Sequence, residues 1–273
     1  MQHFSTSPLE MGASVWRNRA LIAALTKREI LGRYRGSIFG LLWSFFNPIL
    51  MLSVYTFVFS FVFKARWGLS ESGSKTEYAL VLFAGMIVFN VFSECVGRAP
   101  GLILSNINYV KKVVFPLEIL PWVSLIASLF HSSISIVVWL GFYVIFFGLP
   151  GFTALLLPLV VLPLMVFSVG LSWVLASLGV YLRDISQVIG VVITMLMFLS
   201  GIFYSVSSLP VEYQEIMRLN PLVSIIEQAR GVLIWGQSPD YLFLLNYMVL
   251  ALIFSWLGFA WFQKTRKGFG DVL

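Results

Sequence analysis

The sequence predicts an all-α integral membrane protein: six transmembrane helices, an N-terminal interfacial helix, and two short external helices, re-entrant or interfacial, between spans five and six. Three observations predict it. Apolar residues make up 59% of the chain and charged residues 11%, against about a quarter charged in soluble domains, so polar groups are too few to cover a surface in water. The apolar residues fall in runs near or above the ~20 that a bilayer requires. The basic residues are divided unevenly between alternate connections: Lys64, Arg66, Lys75, Arg218 and Arg230 lie on one side and the other 13 of 18 on the opposite side. That bias puts both termini on the cytoplasmic side, and it explains the net charge of +6 without nucleic acid.

The elements follow in order. Residues 1–15 lack the apolar core of a cleavable signal peptide, and the first long apolar run, near Ser37, reads as a retained signal-anchor. Residues 15–36 are helical in pattern but too charged to span, which fits a helix on the membrane surface with snorkelling Lys and Arg. On a helical wheel its apolar and basic positions do not separate cleanly. Spans are expected at 37–63, 79–97, 117–147, 152–180, 185–204 and 241–262. The chain thus divides into a cytoplasmic segment 1–36, a membrane domain 37–262 and a cytoplasmic tail 263–273. Gly36 and Gly40 form a G-x-x-x-G that would let two helices approach closely. Pro158 and Pro163 should kink the fourth span, and Gly148–Gly151 (GLPG) is a tight turn.

Two connections carry structure of their own. The inner one, 98–115, is partly apolar and holds the pair Lys111 and Lys112. The outer one, 207–236, should contain two helices. The first follows Pro210, with Glu212 and Glu215 in its opening turns, where the helix dipole favours them. The second opens with Asn220 as N-cap and Pro221 at the first helical position. Its residues Leu222, Ile225, Ile226, Ala229 and Leu233 form one apolar stripe, and Gly236 is its stop.

Enzyme chemistry is poorly represented. None of the seven lysines follows a glycine, so no phosphate-cradling G-x-x-x-x-G-K-[ST] loop exists. Cys95 is the only cysteine, which rules out an internal disulfide, and the acids are scattered, so no metal site is expected. Only Glu94 and Glu118 are carboxylates inside spans. Glu94 pairs by spacing with Arg98 at i+4, while Glu118, at the start of its span, is placed in the solvated interface. His131, mid-span among serines, reads as a hydrogen-bonded packing residue. In span one, Phe39, Trp43, Phe46, Phe57 and Phe61 fall in a narrow sector at about 100° per residue. Aromatic faces bind the C–H faces of sugars without a fixed hydrogen-bond pattern, so the stripe is a candidate translocation surface, and packing against lipid or another helix is the competing reading.

Four segments carry a family resemblance: KREILGRYRGSIFGLLWSFFNPIL (27–50), NYVKKVVFPLEILP (108–121), VYLRDISQV (180–188) and RLNPLVSIIEQARGVLIWGQSP (218–239). Together they resemble the permease subunit of type-2 ABC exporters, within these the lipopolysaccharide O-antigen and polysaccharide export group. The resemblance implies six spans in the bacterial inner membrane, a homodimer, and two copies of a separate ATPase that binds the ATP and Mg, leaving no cofactor in this chain. It implies a glycan on an undecaprenyl-pyrophosphate carrier as cargo, with lipid around the chain. Export of a capsule glycan, teichoic acid, lipid or drug by the same architecture is the alternative, and a glycan-assembly enzyme a more distant one. The resemblance places an ATPase-coupling element at Leu102, Ser105, Asn106, Asn108 and Tyr109, beside Lys27 and Arg28. It places an external gate at Pro210, Asn220, Pro221, Ile225 and Arg230, and extends the path to Phe203 and Tyr204. One departure stands out: the family tends to have Ser-Pro before Ile-Phe-Tyr, where this chain has Ser200-Gly201.

Overall fold

The computed structural model describes residues 5–62, 75–111 and 115–273. Helix α1 (Pro8–Arg17) is capped by Ser7, whose hydroxyl accepts from the Leu9 amide at 3.2 Å. It ends at Asn18, and α2 (Arg19–Arg33) begins directly after. The expected single surface helix is therefore two helices, the first starting earlier than the composition indicated. A wheel drawn through Asn18 mixes their faces. Alone, α2 has a clear inner face, with Ile22, Leu25 and Thr26 buried.

Span one is irregular at both ends. Gly36 and Gly40 adopt φ of +84° and +49°, conformations other residues reach only at a cost. A Cβ at either would meet no atom within 4 Å. These glycines therefore turn the chain from α2 into the span, and among the described residues of this chain neither seats another helix. A 3₁₀ turn (Gly40–Leu42) leads into α3 (Trp43–Tyr55), which passes into a π-helix over Thr56–Val62; the expected end at residue 63 lies outside the described residues.

Helix α4 (Lys75–Arg98) is the centre of the bundle, with α6 (Leu120–Phe147), α7 (Leu157–Tyr181) and α10 (Pro221–Leu233) packed on it. Most of its side chains from Tyr78 to Val96 are buried. Between α4 and α6 the inner connection forms 3₁₀ turns at Ala99–Gly101 and Leu104–Asn106, then α5 (Ile107–Lys111); Lys112 lies outside the described residues. In α7, Pro158 occupies the first turn, where its missing N–H costs nothing, so it starts the helix instead of kinking it; Pro163 alone is internal. After α8 (Ile185–Leu199) and the outer helices α9 (Val211–Arg218) and α10, α11 (Tyr241–Thr265) returns along α7. A Cβ at Gly170 would lie 2.6 Å from the Ser255 Cα, and one at Gly258 only 2.4 Å from the Gly170 carbonyl. Small residues are what allow this crossing. The chain closes with α12 (Phe269–Val272).

Five helical stretches among the described residues are long and apolar enough to cross a membrane: Gly40–Phe59, Thr76–Gly101, Leu117–Phe147, Phe152–Tyr181 and Tyr241–Val272. The expected fifth span, 185–204, is a helix only as far as Leu199. Its 15 residues reach about 22 Å at 1.5 Å per residue, short of the ~30 Å hydrocarbon core. Gly201, at φ +64°, ends it in a conformation closed to proline, whose φ is fixed near −65°. At this position the chain thus differs from the Ser-Pro pattern in backbone as well as in residue.

Both termini lie at one end of the bundle. Ser14 of α1 donates to the Glu118 carboxylate at 3.0 Å, and Arg266, beyond α11, donates to the same carboxylate at 2.7 Å. Glu118 is 7% exposed. It is a buried tie between the chain ends, where the sequence placed it in solvent: an acid this far from water needs the paired cation that Arg266 supplies.

Candidate functional site

A cavity of about 1310 Å³ opens between α2, α3, α4, α6 and α8. Its lining is unusual for an apolar bundle. Ser44 and Asn47 come from α3, Asn90 and Ser93 from α4, and Ser132 and Ser135 from α6. Asn90 lies deep within its span, yet it is exposed toward this space. Amides and hydroxyls at that depth are tolerated in protein or along a polar cavity, not against lipid. The chamber offers hydroxyl and amide hydrogen bonds on several sides, the chemistry that suits a polyhydroxylated ligand.

Charge gathers where α2 meets the spans. Arg33 is hydrogen-bonded to Glu94, and its Nη1 lies 2.9 Å from His131 Nδ1. His131 Nδ1 lies 3.0 Å and 3.3 Å from the two Glu94 oxygens. Arg98 is bound to Glu29 of α2, and only at 4.0 Å does it approach Glu94. The expected Glu94–Arg98 pair is therefore the weakest contact of a larger network. His131 is hydrogen-bonded as expected, but it lines the chamber, and its Nε2 is buried without a partner. Spacing could not reveal this network, because Arg33, Glu94 and His131 come from three helices.

The residues singled out for ATPase coupling are partly brought together. Arg28 donates to the Tyr109 hydroxyl at 2.5 Å, and its guanidinium lies over the Tyr109 ring at 5.7 Å. Tyr109 stacks on Phe115 at 4.2 Å. Ser105 and Asn106 bond back to the carbonyls of Gly101 and Leu102 at 2.8 and 2.9 Å, closing the turns. Ser105, Asn108, Lys27 and Arg28 are exposed, and Leu102 is half-buried. The α2 helix is thus fastened to the end of α4 and to the segment after it.

The translocation candidates separate into two groups. Phe39, Trp43 and Phe46 meet edge to face, with centroids 5.7 to 6.2 Å apart, and all three are exposed. Phe57 is exposed further along the span, and the side chain of Phe61 lies outside the described residues. The 100° arithmetic does not carry through to them, because the π-helix has a different residue spacing per turn. At the opposite end of the bundle, Phe203 stacks between Phe59 and Phe198 at 5.7 and 5.4 Å, and the Tyr204 hydroxyl donates to the Phe198 carbonyl at 2.9 Å.

Two of the gate candidates, Asn220 and Arg230, meet at the end of α8. The 13-residue α10 packs into the bundle against α4 and α7, with Leu222, Ile225, Ile226, Ala229 and Leu233 all buried. Only Met217 of α9 is buried, and Pro210 caps α9 through its backbone. Asn220 has a double role. Its carbonyl oxygen caps α10 by accepting from the Leu222 amide at 3.0 Å, and its amide donates to Leu199 O and Ser200 Oγ, both at 3.1 Å. Arg230, which the charge pattern counted among the basic residues of the outer segments, is 1% exposed. It donates to Val81 O (3.0 Å), Gly201 O (2.9 Å) and Ile202 O (2.8 Å). Carbonyls freed where a helix stops must find donors, and α10 supplies them. Among the described residues no group of three or more His, Cys, Asp or Glu could hold a metal.

Comparison with known proteins adds to this geometry. The family described as ABC-2 type transporter matches residues 20–234. The chain is 26% identical over 261 residues to the O-antigen export system permease protein RfbA of Myxococcus xanthus, covering 95% of this chain and 97% of that protein. It is 25% identical over 258 residues to the polysialic acid transport protein KpsM of Escherichia coli, covering 91% and 94%. It is 27% identical over 260 residues to the capsule polysaccharide export inner-membrane protein CtrC of Neisseria meningitidis serogroup B, covering 92% of each.

Proposed function

The chain belongs to the ABC-2 type transporter family, and on that premise we propose that it is the membrane permease of an exporter that carries a lipid-linked, O-antigen-like polysaccharide out across the bacterial inner membrane. It is a multi-pass transporter subunit and not an enzyme, and its family implies a partner ATPase. In the proposed assembly two copies of the chain join two ATPase subunits, which bind the ATP and Mg. Both termini face the cytoplasm, as the basic residues favour. Ile185–Leu199 and the irregular residues after it complete the sixth crossing, with α10 entering from outside to meet them.

The observation that carries this reading is the chamber. Polar side chains of α3, α4 and α6 line one cavity inside an otherwise apolar bundle, and the relatives are named for export of O-antigen, polysialic acid and capsule polysaccharide. Hydroxyl and amide groups admit a sugar chain while water-like exchange of their hydrogen bonds lets it leave, the balance any conduction path requires. Deletion of the gene in its own bacterium tests the proposal. Surface glycan should be lost and lipid-linked glycan should accumulate inside; undiminished surface glycan would refute it.

A further inference from the structure

Phe115 stands just before α6, and its ring and its carbonyl are held by different parts of the molecule. The ring stacks on Tyr109 at 4.2 Å, and the Tyr109 hydroxyl accepts from Arg28 of α2 at 2.5 Å. The carbonyl accepts from Arg266 Nη2 at 2.5 Å, while Arg266 Nη1 donates to the Glu118 carboxylate at 2.7 Å. Glu118 also accepts from Ser14 of α1 through its carboxylate at 3.0 Å, and from Trp173 Nε1 of α7 through its backbone carbonyl at 2.9 Å. Arg266 is itself held from behind. Phe269, fully buried, packs against Phe262 and Tyr181 at 5.5 and 6.0 Å, and the Tyr181 hydroxyl donates to the Thr265 carbonyl at 2.9 Å. Residues of α1, α7, α11 and the tail thus form one frame around the start of α6. Among the described residues that frame contributes nothing to the chamber lining, whereas α6 contributes His131, Ser132 and Ser135.

We propose that Arg266 is a positioning residue for energy coupling: its fork pins the start of α6 to the frame of α1, α7 and α11, so that movement of α2 and α5 by the ATPase swings α6 and reshapes the chamber. This rests on the export reading and names the fixed end of the lever that export needs. A guanidinium holds two acceptors in one plane, and here they are the Phe115 carbonyl and the Glu118 carboxylate. Neither can slide or turn without breaking a charge-assisted bond between nearly buried groups. Force entering through Tyr109 and the Phe115 ring therefore meets a fixed point at the Phe115 carbonyl. His131 lies about 20 Å further along the helix at 1.5 Å per residue, so a small tilt about that point displaces the chamber wall. Without the fork, the segment before α6 absorbs the movement, and ATP is hydrolysed with the wall at rest. A tail that only sealed the bundle would need no more than the apolar packing of Phe269, because a buried ion pair is costly unless its geometry is well matched.

The test compares ATP hydrolysis by the purified permease–ATPase complex with the rate at which pulse-labelled glycan reaches the surface of the bacterium. Glu118→Gln combined with Arg266→Met removes both charges together, so no carboxylate is stranded, and it removes the donor to Phe115. This double variant should assemble and hydrolyse ATP within about twofold of wild type, while export per ATP hydrolysed falls about tenfold, within the range of coupling positions. Arg266→Lys keeps the charge but not the planar fork, and its export per ATP should fall between the two. Wild-type export per ATP from the double variant overturns the proposal. So does a loss of export that only follows the amount of complex or its ATP hydrolysis, since that is a structural role. If the double variant does not assemble, Arg266→Lys decides alone: export per ATP reduced at least threefold supports the proposal, and a smaller reduction overturns it. Surface glycan surviving gene deletion rejects the export reading itself. Glycan lost on deletion, combined with wild-type coupling in these variants, rejects the role of Arg266 alone.

Discussion

Arg230 shows how one side chain can hold an irregular segment inside a membrane protein. Its three carbonyl partners belong to α4 and to the break after α8, and Gly85 makes room for it: a Cβ there would lie 2.5 Å from Arg230 Nη2. Each buried carbonyl left without a donor costs about 1–3 kcal/mol. Val81 O lies within α4 and keeps its helical donor, so Arg230→Met orphans the Gly201 and Ile202 carbonyls and should lower stability by at least about 2 kcal/mol, read as an earlier unfolding transition in detergent. Gly85→Ala should destabilise by displacing the same guanidinium. The two losses should be markedly less than additive in the double variant, as expected for residues sharing one interaction. Full additivity would show that Gly85 and Arg230 act separately. The stripe that places Arg230 inward was present in the sequence, since Leu222, Ile226 and Arg230 follow at intervals of four. Charge alone pointed the residue to water, because the carbonyls that solvate it come from segments remote in sequence. Glu118 was misjudged for the same reason: its partners, Ser14 and Arg266, stand 104 and 148 residues away.

Among the elements, those with strong local signals were legible. The Asn220-Pro221 start of α10, the GLPG turn and the long apolar helices follow from capping, glycine and hydropathy. Interruptions decided by backbone conformation were not, and the break at Asn18, the π-helix of span one and the stop at Leu199 are of this kind. The most consequential element is α2 with the short turns after α4, joined through Arg28–Tyr109, Glu29–Arg98 and Arg33–Glu94. Force applied to the exposed Ser105–Asn108 surface would pass through these ties to α2 and to the chamber wall. If this surface receives the ATPase, a cysteine at Asn108 should crosslink to the co-expressed partner. The experiment needs no cysteine-free background, because the single native thiol, Cys95, is fully buried beside Ser172. Absence of crosslinks from Asn108, Asn106 and Ser105 alike would remove the docking assignment.

For the molecule as a whole, two membrane helices with little burial are informative. No residue of α8 is buried, and in α3 only Ser44 and Leu52 are; both helices border the chamber. In the proposed dimer these faces either meet lipid or enclose a common path with the second copy. The aromatic group of Phe39, Trp43 and Phe46 distinguishes the two. Lipid contact needs only apolar surface, which Leu41, Leu42 and Phe45 also provide. Three rings held edge to face present instead a rigid set of π faces, against which sugar C–H groups can pass without a fixed hydrogen-bond register. Replacing Trp43 and Phe46 with alanine removes those faces and no buried core, so the chain should assemble normally with its copy and its ATPase. Surface glycan should nevertheless fall well below wild type, with lipid-linked glycan retained inside. Leucine at both positions is the decisive control, since it restores apolar area without a ring. Rescue of export by leucine would make the group a lipid contact, whereas continued loss would assign these rings to the translocation surface.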